Sequence, residues 1–188
     1  MQPTEIIIRN VRLAFPDVFK AVQFEGAGPF SYKSTLLVDP GTENDKAIRQ
    51  AINQAATSKW AAKAGEYLKA LQASGSSKFC YVDGITKAYD GFAGKWALSA
   101  SRPQDSGPVK LINRDMTPLD ELSGKPYAGC YVNAKVQLWA QDNNFGKGIR
   151  CTLIALQFVG DGESFGGTPP ATTEGMEAVE EEASEGLI

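Results

Sequence analysis

Between Tyr127 and Gly160 the chain reads YAGCYVNAKVQLWAQDNNFGKGIRCTLIALQFVG, and its first half alternates with period two. Val132, Ala134, Val136, Leu138 and Ala140 face one way, while Tyr131, Asn133, Lys135, Gln137 and Trp139 face the other. The second row carries the chemistry. Rings set among cations and amides suit a surface on which flat bases stack and phosphates are neutralised. The alternative, that Tyr131 and Trp139 lie under another element of the same fold, stays open at this point. Turn residues from Gln141 to Gly148, with Lys147 among them, separate this strand from a second β-rich run, Ile149 to Val159, which has Arg150 as its second residue. The two form a hairpin.

A second group of rings and cations lies in ITKAYDGFAGKWALSASRP, where Tyr89, Phe92 and Trp96 alternate with Lys87, Lys95 and Arg102. Asp90-Gly91 and Gly94 mark a bend before a strand at 95–101. Trp96 shares its face with Leu98 and Ala100, which argues against its exposure. Lys110 belongs to a short strand, 109–113, and Tyr32 and Lys33 open the strand FSYKSTLLVD at 30–39. The candidate binding surface is therefore Tyr32, Lys33, Tyr89, Phe92, Lys95, Trp96, Arg102, Lys110, Tyr131, Lys135, Trp139, Lys147 and Arg150. About half of the rings named are expected to be core.

The elements that position these residues are short. Residues 5–15 read as a first strand that stops at Pro16, and 17–29 as a Gly-containing loop that holds Phe19 and Phe24. Thr42 and Asp45 resemble a capping box, and Ile48, Ile52, Ala56, Trp60, Ala64 and Leu68 recur at i+4. That stripe predicts one long helix over about 43–73, with Gly65 as its weak point. The pattern is mainly β with an inserted helix (α+β), five or six strands able to close into an OB-like small β-barrel.

Composition narrows the function classes. The chain has 188 residues, 43% hydrophobic and 22% charged, with a net charge of −3. Residues 160–188 hold eight acids and no Lys or Arg, which leaves fourteen acids against nineteen bases before them, a net of +5. A basic body, 1–159, thus carries an acidic tail, 160–188, whose composition predicts flexibility and disorder. Three separated cysteines and no histidine give neither a zinc spacing nor a disulfide framework, and they point to a reducing cytoplasm. Without histidine, Ser-His-Asp and Cys-His catalysis are impossible. Asp83, Asp90, Asp105, Asp115 and Asp120 sit in turn contexts that favour solvation over a magnesium site. No phosphate-loop motif is present. No catalytic residue, metal or cofactor is assigned, no membrane span is read, and the chain reads as a binding protein.

The run GCYVNAKVQLWAQDN, then GKGIR, then LQFVGDGESFGG, followed by an acidic tail, resembles the bacteriophage single-stranded DNA-binding proteins with an OB fold. The resemblance is strongest over 127–167. It implies a replication or recombination protein in the cytoplasm of an infected bacterial host that coats single strands without sequence preference; whether it forms a homo-oligomer stays open at this point. It also implies a tail, through Glu180, Glu181, Glu182, Glu185, Leu187 and Ile188, that recruits replication proteins such as a polymerase or helicase. Many tails of this class end on an aromatic residue, whereas this one ends Gly186-Leu187-Ile188. Two rival readings are a strand-annealing recombination protein and a non-DNA interaction protein whose acidic tail serves solubility.

Overall fold

The structure is a computed structural model that describes residues 3–165 and 176–179. The disorder read for the tail, and its residues Glu180, Glu181, Glu182, Glu185, Leu187 and Ile188, lie outside the described residues. Among the described residues seven strands form one sheet: β1 (Glu5–Phe24), β2 (Ala27–Val38), β3 (Tyr81–Asp83), β4 (Trp96–Pro103), β5 (Lys110–Ile112), β6 (Tyr131–Asn143) and β7 (Gly146–Gly160). Their order is β3-β4-β2-β1-β6-β7-β5. One further pairing, Ser101 with Thr152, joins β4 to β7 in parallel and closes β1, β2, β4, β7 and β6 into a five-stranded barrel. That is the OB-like arrangement which the strand pattern predicts. The β4–β7 seam is its thinnest ladder.

Alternation fills the barrel. Val132, Ala134, Val136 and Leu138 of β6 are fully buried, with Ile149, Cys151, Leu153, Leu156 and Phe158 from β7 and Ile8, Val11 and Leu13 from β1. Each large aliphatic side chain buried in this way stabilises the fold by about 1.5–3 kcal/mol. The helix stripe lies on this core: Ile48, Ile52, Ala56 and Trp60 of α1 (Glu43–Trp60) are buried, and α1 packs on β6 and β1. The helix starts where Thr42 Oγ1 accepts the Asp45 amide, at 3.4 Å, and Asp45 Oδ2 accepts the Gly41 amide at 2.9 Å. It does not run unbroken to residue 73. Ala61, at φ 49°, ends α1, a 3-10 turn covers Ala61–Lys63, and α2 (Ala64–Ala73) follows, so the break falls before Gly65.

The largest difference from the sequence reading concerns residues 16–29. Instead of ending at Pro16, β1 continues to Phe24 and pairs through a two-residue Glu25-Gly26 turn with β2. Proline is tolerated because the β1–β2 register shifts between Ala14 and Asp17, a bulge where a missing N–H costs no ladder bond. Glu25 and Gly26 both have positive φ, 49° and 73°, the geometry that matches hairpin twist. The expected loop is a long β-ribbon.

The stretch 161–165, read as the flexible start of the tail, is tied down. Tyr127 donates its hydroxyl to Asp161 Oδ1 at 2.6 Å, Phe165 N–H donates to Ala128 O at 3.2 Å, and Arg12 donates to Glu163 O. The backbone passes so close to Gly129, at φ 103°, that an added Cβ would lie 2.1 Å from Glu163 O. Partial desolvation and the bond to Asp161 push the Tyr127 phenol up to about 12.

Candidate nucleic-acid interface

The β1–β2 ribbon and the β4–β7 seam enclose a groove of about 530 Å³. Its walls come from four strands, with Phe15, Asp17 and Phe24 from β1, Lys33 to Thr35 from β2, Ser99 to Ser101 from β4, and Arg150 and Cys151 from β7, and from Ser76, Ser77 and Cys80 in the segment before β3. Register explains the assembly, since Asp17 pairs with Lys33, Lys33 with Ser101, and Ser101 with Thr152. The irregular pairing after Ala14 bends the ribbon, and its tip returns Phe24 to within 5.2 Å, ring centre to Lys33 Nζ.

Three properties set this groove apart. Phe24 at the ribbon tip is 67% exposed and Phe15 is 51% exposed, so two large rings face solvent at an energetic cost that core packing does not explain. Neither Lys33 nor Arg150 forms an ion pair among the described residues. Arg150 is instead aimed by neutral acceptors, with Nε donating to Gln141 Oε1 at 3.1 Å and Nη1 to Ser77 O at 2.8 Å. Finally, Ser34 Oγ is buried at the groove wall with no hydrogen-bond partner among the described residues. Buried hydroxyls are usually satisfied, and this one has capacity left for a ligand.

The candidate residues divide by place. Lys33 and Arg150 line the groove. Trp139 pairs directly with Arg150 across β6–β7, is 41% exposed, and donates Nε1–H to Thr152 Oγ1 at 3.1 Å; it lies beside the groove and lines a separate cavity of about 310 Å³ with Gln54, Ser58 and Lys59 of α1. Lys135 and Tyr131 share its strand face but run away from it, Tyr131 by about 27 Å over eight residues. Lys135 is engaged by Glu5 at 2.9 Å, and Tyr131 is half-buried. The outward row therefore comes beside the groove at its Trp139 end, next to Arg150.

The others lie outside the groove. Phe92 is 1% exposed and packs with Ala14, Leu37 and Ala97, so it presents no face to a base; bends at Gly91 and Gly94 turn it inward. Trp96 is half-buried beneath the Arg49 guanidinium, 4.5 Å from its ring, on the helix side of β4. Lys95 pairs with Asp39, and Lys147 with Asp142 at 3.7 Å while lying over the Tyr67 ring. Arg102 is spent on its own loop, donating to Gly107 O at 2.9 Å and Ser106 O at 2.7 Å. Tyr32 packs against the core, and Lys110 is exposed on β5, lining neither the groove nor the cavity beside it. Tyr89 is 53% exposed and lies against Phe15, ring centres 4.8 Å apart, at the wall of that adjoining cavity.

Phe15, Phe24 and the serines of β2 and β4 are groove residues that the sequence reading did not select. A signal existed for Phe24: an aromatic beside Glu25-Gly26, in a stretch with no apolar periodicity, has no core to join. The cysteines are not part of the chemistry. All three are free and buried, and burial pushes Cys80 up to about 12 and Cys130 up to about 11. Among the described residues no group of three or more His, Cys, Asp or Glu is arranged to hold a metal ion, and no helix is long and apolar enough to cross a membrane.

The family described as the single-stranded-DNA-binding protein of Enterobacter phage Enc34 matches the chain over residues 4–187. The chain belongs to this family. Protein p50 of Acyrthosiphon pisum secondary endosymbiont phage 1 is 40% identical over 172 residues, 90% of this chain and 91% of its own. Among solved structures, the Enc34 protein in complex with single-stranded DNA superposes with a TM-score of 0.71 at 24% identity, covering 88% of this chain and 91% of that one. The single-stranded DNA-binding protein gp2.5 of bacteriophage T7 gives 0.55 at 12% identity, over 93% of this chain and all of its own. At such identities the two structures speak for the fold, which the family shares.

Proposed function

We propose that this protein binds single-stranded DNA in the groove between the β1–β2 ribbon and the β4–β7 seam. Bases stack on Phe24, Phe15 and Trp139, Lys33 and Arg150 neutralise phosphates, and serine hydroxyls meet the backbone. The observation that carries the reading is the pairing of exposed rings with cations that no carboxylate of the described residues occupies, in one groove. Contacts of this kind use faces that every base has, so binding is tolerant of sequence. The protein coats strands during phage replication or recombination in the host cytoplasm, with 1–159 as the binding body.

The acidic segment 160–188 competes for the groove when DNA is absent and, once displaced, offers Leu187 and Ile188 to a replication protein. The charge division supports this, as does the seat of Phe165 beside Phe15, which starts the tail next to the groove. The experiment is a salt series of oligonucleotide binding with oligo-dT, a mixed sequence and a duplex. If about four phosphates are neutralised, log K falls against log salt with a slope of about −3 for the single strands. A flat response, or preferential binding of the duplex, overturns the proposal.

A further inference from the structure

Beside the groove lies a second cavity of about 520 Å³, within the size range of small-ligand pockets. Its lining is apolar and aromatic, with Phe15, Tyr89 and Phe165 on a floor of Ala14 and Phe92. Two carboxylates, Asp17 and Asp90, stand at its edge. Phe15 and Asp17 line both spaces, so the cavity continues the proposed groove. Phe15 holds its ring there from a left-handed backbone, φ 48°, an unfavourable conformation for a bulky residue and one that clusters at ligand sites.

Asp17 is anomalous in a surface for a polyanion. It is exposed, it forms no hydrogen bond or ion pair among the described residues, and it sits opposite Lys33 in the β1–β2 ladder. A carboxylate there repels phosphate, so the backbone must stay on the Lys33 and Arg150 side. What enters the cavity is then a base, stacked on Phe15 or Tyr89, with its hydrogen-bonding edge toward an acceptor.

We infer that this cavity takes one base of the bound strand and that Asp17 makes guanine the preferred occupant. The inference rests on the groove carrying single-stranded DNA. An ionised carboxylate accepts and does not donate. Guanine presents two adjacent donors, N1–H and the N2 amino group, which match its two oxygens; cytosine and adenine present one amino donor each. Thymine presents N3–H between two carbonyls that the carboxylate repels. The protein as a whole stays tolerant of sequence, with one position biased.

The test is competition binding of the full-length protein to dT12 and to dT12 with a single central guanine. The guanine oligomer should bind about tenfold more tightly. Replacing guanine with inosine, which lacks the amino group, should return most of that gain. In Asp17→Asn the ratio of guanine-oligomer affinity to dT12 affinity should fall to less than about threefold. Equal parental affinities for the two oligomers, or a preference that survives in Asp17→Asn/Asp90→Asn, overturns the inference while leaving the groove reading intact. Failure of both oligomers to bind overturns both.

Discussion

Truncating Phe24 separates recognition from folding. Phe24 is 67% exposed at the ribbon tip, so it keeps about a third of the burial that gives a fully buried Phe side chain about 1.5–3 kcal/mol. Phe24→Ala should therefore cost about 0.5–1 kcal/mol of stability, a fall in Tm of at most about 4 °C for a domain of this size. A stacked base is worth about 1–3 kcal/mol, which is roughly a 5- to 150-fold rise in Kd. The loss in binding should exceed the loss in stability, and Phe24→Trp should restore it. Fluorescence anisotropy with oligo-dT gives the first quantity and thermal unfolding the second. Unchanged affinity in Phe24→Ala, with Tm also unchanged, would mean that the ring stacks on nothing and that the ribbon is not a wall of the site.

The remaining predictions follow the same division between groove and core. Lys33→Ala and Arg150→Ala should each weaken oligo-dT binding at low salt and make the salt slope shallower by about 0.7, whereas Lys135→Ala, whose cation Glu5 already engages at 2.9 Å, should leave it within error. Phe92→Ala should cost about 3–5 kcal/mol of stability, read by denaturant unfolding, because it empties a site that is 1% exposed. Asp45→Ala strips the acceptor from the Tyr81 hydroxyl at 2.7 Å, Arg49 Nε at 2.9 Å and the Gly41 amide, and should cost about 1–3 kcal/mol. Burial alone would raise the Asp45 carboxyl, but the Gly41, Tyr81 and Arg49 contacts together hold it below its ordinary 3.8. Its folded value is thus the lower one, so its contribution is present above pH 3.8 and is lost as pH falls through the folded value; the parent protein should lose stability there and Asp45→Asn much less.

The barrel was legible because its strands bury one face and alternate: Val132 to Leu138 could be assigned to the core from spacing alone. The helix was legible from its cap and stripe, but its break was not, since nothing in Trp60-Ala61 announces a positive φ. Pro16 misled because a proline ends a regular strand but is accommodated at a bulge, and a bulge depends on the partner strand. That single error hid the ribbon, and with it Phe15 and Phe24. For the cations, residue type was visible while availability was not. Lys95, Lys135 and Lys147 have the same composition signal as Lys33 and Arg150, yet each meets a carboxylate from elsewhere in the fold. The outward placement of Trp139 could be read because a ring on the polar face of an alternating strand has no core to enter, whereas the burial of Phe92 could not, because a bend-rich segment has no face to read.

The most direct test of the central claim is a backbone NMR titration of the full chain with oligo-dT at low salt. The groove account predicts that shift changes gather on Phe15, Phe24, Lys33, Ser34, Ser99, Ser101, Arg150 and Trp139, and that they reverse as salt is raised. Changes confined to the far end of the outward row, at Tyr131 and Lys135, or to the exposed face of α1 would contradict it.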